Sequence, residues 1–194
     1  MVSFRIDEER TIAATLYLAS AGIPGLSKYK ICKLLFLADK HHLVRHGRTI
    51  TADRICAMEH GPVPSLVLNA LDAILEGTPS TNPLVERFRA NLKIDDRYVH
   101  PHFEASEFDK DSLSVTDLES LTEVVAEHGK KGFEELRSLT HAMVAYKNAW
   151  TNRANNAPTM SFEDLFEDDD DALTGALEEM KETYALRSAF GSGL

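Results

Sequence analysis

Cysteine is scarce in this chain. Only Cys32 and Cys56 occur among 194 residues, and they form no C-x-x-C pair. That argues against a disulfide framework and a zinc ribbon, and it suits a reducing cytoplasm. Both thiols read as small apolar core side chains. Long apolar runs are missing too: no stretch of eighteen apolar residues exists, so no transmembrane helix is expected. The opening MVSFRIDEERT lacks the basic-then-apolar layout of a secretory signal. Basic charge is also short, with 21 Lys and Arg against 31 Asp and Glu, a net of −10. The excess is concentrated after Ser161, where ten acidic residues face only Lys181 and Arg187. Nucleic-acid phosphates repel such an end, so nucleic-acid binding through the whole surface is not expected. The chain carries no H-E-x-x-H, P-loop, G-x-S-x-G or dinucleotide fingerprint, and no repeat or Gly/Ser-rich linker.

What is present is helix. Hydrophobic content of 43% and charged content of 27% suit an ordinary soluble globular protein. Asp7 precedes a helical pattern in EERTIAATLYLAS, which Gly22 stops. Ser27 caps a second helix running to His46 and closed by Gly47. DRICAMEH reads as a strand, and Pro64 opens a helix to about Glu76. Another helix of about ten residues starts at Pro83, after the loop PSTNP. RYVHPHFEA reads as an extended edge, with Tyr98, His100 and His102 on one side and Val99 and Phe103 on the other. Thr116-Asp117-Leu118-Glu119 reads as a capping box for a helix to His128. FEELRSLTHAMVAYKNAW reads as a helix or a broken helix, followed by an SFEDLF turn and a charged helix from about Asp170 to Phe190. The expected fold is mainly α: a compact helical domain round a buried central helix, with a small two- or three-stranded β element. The expected division is a helical domain over residues 1–157 and an acidic C-terminal helical extension over 158–194.

The histidine-rich stretch LADKHHLVRHGRTITADRICAMEHGPVPS raises the question of a site. In YKICKLLFLADKHHLV, Ile31, Leu34, Leu35, Ala38 and His42 fall on one stripe. The opposite side still carries Phe36, Leu37, Leu43 and Val44, leaving only Lys33 and Lys40 clearly polar. A helix apolar nearly all round is a buried one. On its wheel Asp39, His42 and His46 share a face at spacings i, i+3 and i+7. Two imidazoles and a carboxylate suit zinc, iron or manganese. The competing reading makes His42 a satisfied core histidine and Asp39 a buried hydrogen-bond acceptor. In EHGPVPS, Pro62 and Pro64 each remove an N–H donor, which makes a poor oxyanion hole and suggests a rigid corner. Val63, preceding Pro64, is biased to extended geometry. Ser65 or Cys56 with His60 is a weak candidate for a nucleophilic site.

The ordered set KICKLLFLADKHHLVRHGRTITADRICAMEHGPVPS, with the later LRSLTHAMVAYKNAW, resembles the Panacea domain, the SocA-like antitoxin family. That family shows a K-L-L-Y-L-A-D-like helix, a G-R-x-I-T/S-x-D-x-Y turn, a G-P-V corner and a downstream L-S-x-x-T-H…W segment. Here Ile55 or Cys56 stands where a Tyr is usual, and His41-His42 replaces a polar pair. The tail after about residue 158 lies outside the resemblance.

The resemblance implies a mainly helical, non-catalytic protein that neutralises a toxin by direct contact, the toxin being encoded next door. It implies no cofactor. Carried over by motif, Arg48, Asp53, His60 and Trp150 are the candidates for partner contact. Asp39, Gly47, Thr51, Gly61, Pro62, Val63, Pro64 and His141 mark the scaffold. The alternative function is a metal-dependent hydrolase using Asp39, His42 and His46. A regulator reading needs a basic recognition helix; Lys28, Lys30 and Lys33 come nearest, yet Lys33 lies on the helix read as buried.

Overall fold

A computed structural model describes residues 7–102 and 111–166. The charged helix expected from Asp170, and Phe103, lie outside the described residues. The first helix, α1 (Glu8–Ser20), opens on Asp7, whose side chain accepts from Arg10 N, with Glu8 and Glu9 in the first turn. Those acids complement the partial positive charge of a helix N-terminus. The central helix, α2 (Lys28–His46), is capped by Ser27 and closed by Gly47 at φ +68°, whose N–H bonds Leu43 O. Gly47 takes that left-handed turn without the steric cost a Cβ brings. Residues 30–39 of α2 are all buried. Ile31, Leu34, Leu35, Phe36 and Leu43 are sealed from solvent, each such side chain contributing about 1.5–3 kcal/mol of apolar burial. Helices α1, α3, α5 and α6 and strand β2 all pack on α2, so the expected buried central helix is what organises the fold.

Strands β1 (Ile55–Met58) and β2 (Gly61–Pro64) form an antiparallel hairpin in the register Ile55↔Pro64 to Met58↔Gly61. The expected corner at EHGPVPS is therefore a strand. The reason is local. Ile55 O accepts from Met160 N, and Ala57 N donates to Pro158 O. Residues 55 and 57 thus turn their hydrogen-bonding groups away from β2. Pro64 and Pro62 stand opposite them, at positions that need no N–H in the hairpin ladder. On its other side β1 is lined by residues 158–160, and Met160, Leu165 and Phe166 are buried in the common core.

Helix α3 (Ser65–Leu75) follows β2 directly. Helix α4 (Pro83–Asn91) is capped by Asn82 and has proline in its first turn. A second hairpin joins β3 (Leu92–Asp95) to β4 (Tyr98–Pro101). As its alternation suggested, Val99 is buried while Tyr98 and His100 are exposed. Helix α5 (Val115–His128) has its capping box at Ser114 and Asp117, not at Thr116 and Glu119. Helices α6 (Phe133–Ala142) and α7 (Val144–Thr151) are the two halves of the long C-terminal pattern, separated at Met143, whose ψ of 142° is extended. A short 3₁₀ turn covers Glu163–Leu165. The protein is mainly α with two small antiparallel hairpins.

Candidate functional site: buried acids and buried bases

Three buried carboxylates hold the centre together. Asp39, 1% exposed, stands one turn above His42 on α2. Its Oδ1 accepts from Ile50 N at 2.8 Å and Thr51 N at 2.9 Å, and its Oδ2 accepts from the Thr51 hydroxyl at 2.5 Å. The side chain clamps the 48–54 loop to the central helix. Burial pushes its carboxyl up to about 7, against the pull of those three hydrogen bonds.

Asp53 serves α3 in the same way. Pro64 has no side-chain donor or acceptor to offer at the cap. Asp53 Oδ2 instead accepts from Leu66 N at 2.9 Å and Val67 N at 3.1 Å, and the Ser65 hydroxyl donates to Oδ1 at 3.3 Å. Burial raises this carboxyl as well. Asp53 thus supplies, from outside the helix, the acceptor that the first-turn N–H groups require.

Asp117 joins three elements. Its Oδ2 accepts from Ser114 N at 2.9 Å, completing the capping box of α5. Arg48 Nη2 lies 2.9 Å and His42 Nε2 3.2 Å from Oδ1, with Arg10 Nε 3.6 Å from Oδ2. Oδ1 makes an ion pair with Arg48 but no hydrogen bond among the described residues. His42 is fully buried. Its Nδ1 faces the Arg48 carbonyl at 2.8 Å, which can only accept, so the ring proton sits on Nδ1. In the neutral ring Nε2 then accepts from the Thr116 hydroxyl at 3.0 Å. Burial drives the imidazole down to about 4, so it is neutral at ordinary pH.

These contacts decide what the metal-shaped triad does. Asp39's oxygens face the 50–51 loop and both His42 nitrogens are engaged. His46 is exposed and meets His42 only ring to ring, at 4.6 Å. Among the described residues, no group of three His, Cys, Asp or Glu side chains is placed to hold a metal.

The bases are arranged otherwise. Three lysines occupy the first half of α2. Lys28 pairs with Asp72, and Lys30 Nζ donates to Pro24 O at 2.8 Å. Lys33 is fully buried, and its Nζ has no hydrogen-bond partner among the described residues. Over it lies Gly61, at φ +102°, where an added Cβ would stand 2.6 Å from Lys33 Nζ and 2.9 Å from Thr140 Oγ1. Close approach and positive φ both require glycine there. His141 Nε2 and Arg137 Nε, from α6, are likewise buried without a partner. The Thr140 hydroxyl donates to Leu136 O at 2.9 Å and makes no hydrogen bond to Lys33 Nζ. Burial pushes the Lys33 amine down to about 8, and the Arg137 charge acts in the same direction. His141 is lowered by burial and then by Arg137 and Lys33.

Around this cluster the surface is aromatic. Tyr29, His60 and Phe133 meet edge to face, with centroids 5.8–6.4 Å apart. His141 stacks on Tyr146 at 4.2 Å, Tyr146 on Trp150 at 5.9 Å, and Arg153 lies 4.1 Å from the Trp150 ring. Of the residues expected to meet a partner, His60 is exposed, Arg48 and Trp150 are partly so, and Asp53 is 2% exposed. The scaffold positions Gly61, Pro62, Val63 and Pro64 are buried, and Gly47 closes α2. The sequence reading passed over Arg137 and the Ser114–Asp117 cap. A lysine inside a helix apolar all round was the available signal for Lys33.

The fold is a set of helices round one buried helix, with its polar centre spent on clamping loops and capping helices. The family described as "Antitoxin SocA-like, Panacea domain" matches residues 31–151, from the start of the buried part of α2 to the end of α7. The chain belongs to that family. No curated protein and no solved structure gave a match. No helix among the described residues is long and apolar enough to cross a membrane.

Proposed function

We propose that this protein is an antitoxin that neutralises a cognate toxin, encoded by an adjacent gene, by direct and non-catalytic protein contact in the cytoplasm. The observation that carries the reading is the family match, which covers every element packed round α2 apart from α1. The internal chemistry agrees with it, since the buried carboxylates clamp loops and cap helices where a catalyst would present them to a substrate. His60 at the β1–β2 turn and the Tyr146–Trp150–Arg153 stack offer aromatic and polar contact at the surface. Aromatic side chains of this kind anchor protein interfaces. The extension from residue 158 is proposed as a second element that favours a basic partner electrostatically.

Co-expression tests the reading. The neighbouring gene's product alone should arrest growth, and this chain should restore it and co-purify with it. His60→Glu and Trp150→Ala, each checked for an unchanged circular dichroism spectrum, should weaken rescue. Absence of both arrest and a co-purifying partner would remove the proposal's basis.

A further inference from the structure

The Lys33 cluster asks for a partner that the described residues do not supply. Lys33 Nζ, Arg137 Nε and His141 Nε2 are three nitrogen donors or potential donors, all buried and all without an acceptor among the described residues. Leaving a buried polar group unpaired costs about 1–3 kcal/mol, and more for a charged one. The two neighbouring lysines on the same helix avoid that cost, one with a carboxylate and one with a carbonyl. Among the described residues, the groups that act on Lys33 are the buried Cys32 thiol and the Arg137 guanidinium. Those acting on His141 are Arg137, Lys33 and His60. Cations and imidazoles therefore converge from α2, α6 and the β1–β2 turn, and the one acid paired with them is Glu134, at the exposed end of Arg137.

The cluster grades from buried to exposed. Lys33 is wholly inside, directly beneath Gly61. The Arg137 side chain is 39% exposed, and its Nη1 reaches only Glu134 at 3.6 Å. His141 is held by a hydrogen bond to the backbone of His60 and by its stack on Tyr146. Those contacts fix the ring and leave Nε2 turned inward without a partner. Low dielectric strengthens the pull of such a cluster on an anion.

We propose that Lys33, Arg137 and His141 form a site for one small oxyanion, a carboxylate or a phosphate, entering between the β1–β2 turn and α6. Arg137 admits the group, Lys33 neutralises it, and His141 donates from Nε2 once protonated beside it. The site needs no toxin to be observed, so it stands or falls apart from the antitoxin reading.

The full-length protein is heated at pH 7 in graded sodium phosphate, sodium acetate or sodium chloride at constant ionic strength. In parallel, the Lys33 Nζ resonance of lysine-labelled protein is followed against pH. The site predicts a saturable rise in melting temperature with phosphate or acetate beyond chloride, and a rise in the Lys33 titration midpoint when the anion is bound. Phosphate acting alone assigns the ligand to a tetrahedral anion, and acetate acting alone assigns it to a carboxylate; either supports the site. Lys33→Met should abolish the effect. Arg137→Met, at the half-exposed end of the cluster and so less prone to misfold, should weaken binding about tenfold or more. If melting in both oxyanions tracks chloride, or if Lys33→Met and Arg137→Met shift with them as the wild type does, the proposal is overturned.

Discussion

Buried acids and buried bases receive opposite treatment in this protein. Asp39, Asp53 and Asp117 are each within 2% of complete burial, and each meets backbone N–H groups, hydroxyls or arginine. Lys33, Arg137 and His141 lie on the other flank of α2 with buried nitrogens that meet no partner among the described residues. A saturated buried charge ties segments together. An unsaturated one is a standing cost that persists where something outside the chain offsets it. The acids therefore account for the fold, and the bases mark where the fold is open to a ligand.

Substitutions can break that contrast, and they fall in order of size. Asp39→Ala leaves the N–H groups of Ile50 and Thr51 without their acceptor and should destabilise by about 3–5 kcal/mol, each orphaned buried donor costing about 1–3. A lower urea midpoint at unchanged slope would show it. Gly61→Ala forces a side chain onto Lys33 Nζ at positive φ, and should cost about 2–3 kcal/mol in the same measurement. Lys33→Met should move stability the other way. Replacing an unpaired buried amine by an apolar side chain of similar length should stabilise by about 1–2 kcal/mol at pH 7 in chloride buffer. A loss of stability there would erase the contrast between the two flanks.

The pH dependence of the Lys33 effect has a definite sign. The folded amine titrates at about 8, below its ordinary 10.5. Between those values the unfolded chain binds a proton that the folded chain does not, so wild-type stability rises with pH through that window. The advantage of Lys33→Met should shrink between about pH 8 and 10.5. Cys32, pushed up to about 12 by burial, acts oppositely above its ordinary 9 and is itself lowered by the Lys33 charge, so the difference reflects Lys33 alone only up to about pH 9. The smallest effect belongs to Asp53→Ala, which removes a helix cap and should cost about 1–2 kcal/mol, read as a modest drop in melting temperature.

The elements with strong local punctuation were legible in the sequence. Ser27 and Gly47 bracket α2 as read, and apolar residues on all sides of that helix announced its burial. Two other features misled because their partners are distant in sequence. Pro62 and Pro64 argue against a strand until residues 158–160 are seen to take the other edge of β1. The Thr116–Glu119 pattern overlaps the true Ser114–Asp117 box by two residues, and Arg10, His42 and Arg48 converge on Asp117 only in three dimensions. In the same way, i, i+3, i+7 spacing placed Asp39, His42 and His46 on one face. It carried no information that the 48–51 loop and α5 would claim the first two. The Lys33 cluster was least legible, since Arg137 and His141 lie over a hundred residues away and their lack of a partner is a property of packing.

The proposed function turns on direct binding of a protein toxin. Its most direct measurement is titration calorimetry of the purified chain against the purified product of the adjacent gene. The account predicts a saturable complex that abolishes the toxin's activity at matched concentration, weakened by His60→Glu and Trp150→Ala and retained by Asp53→Ala once its smaller stability is allowed for. No heat of binding, together with a toxin left fully active at excess of this protein, would contradict it.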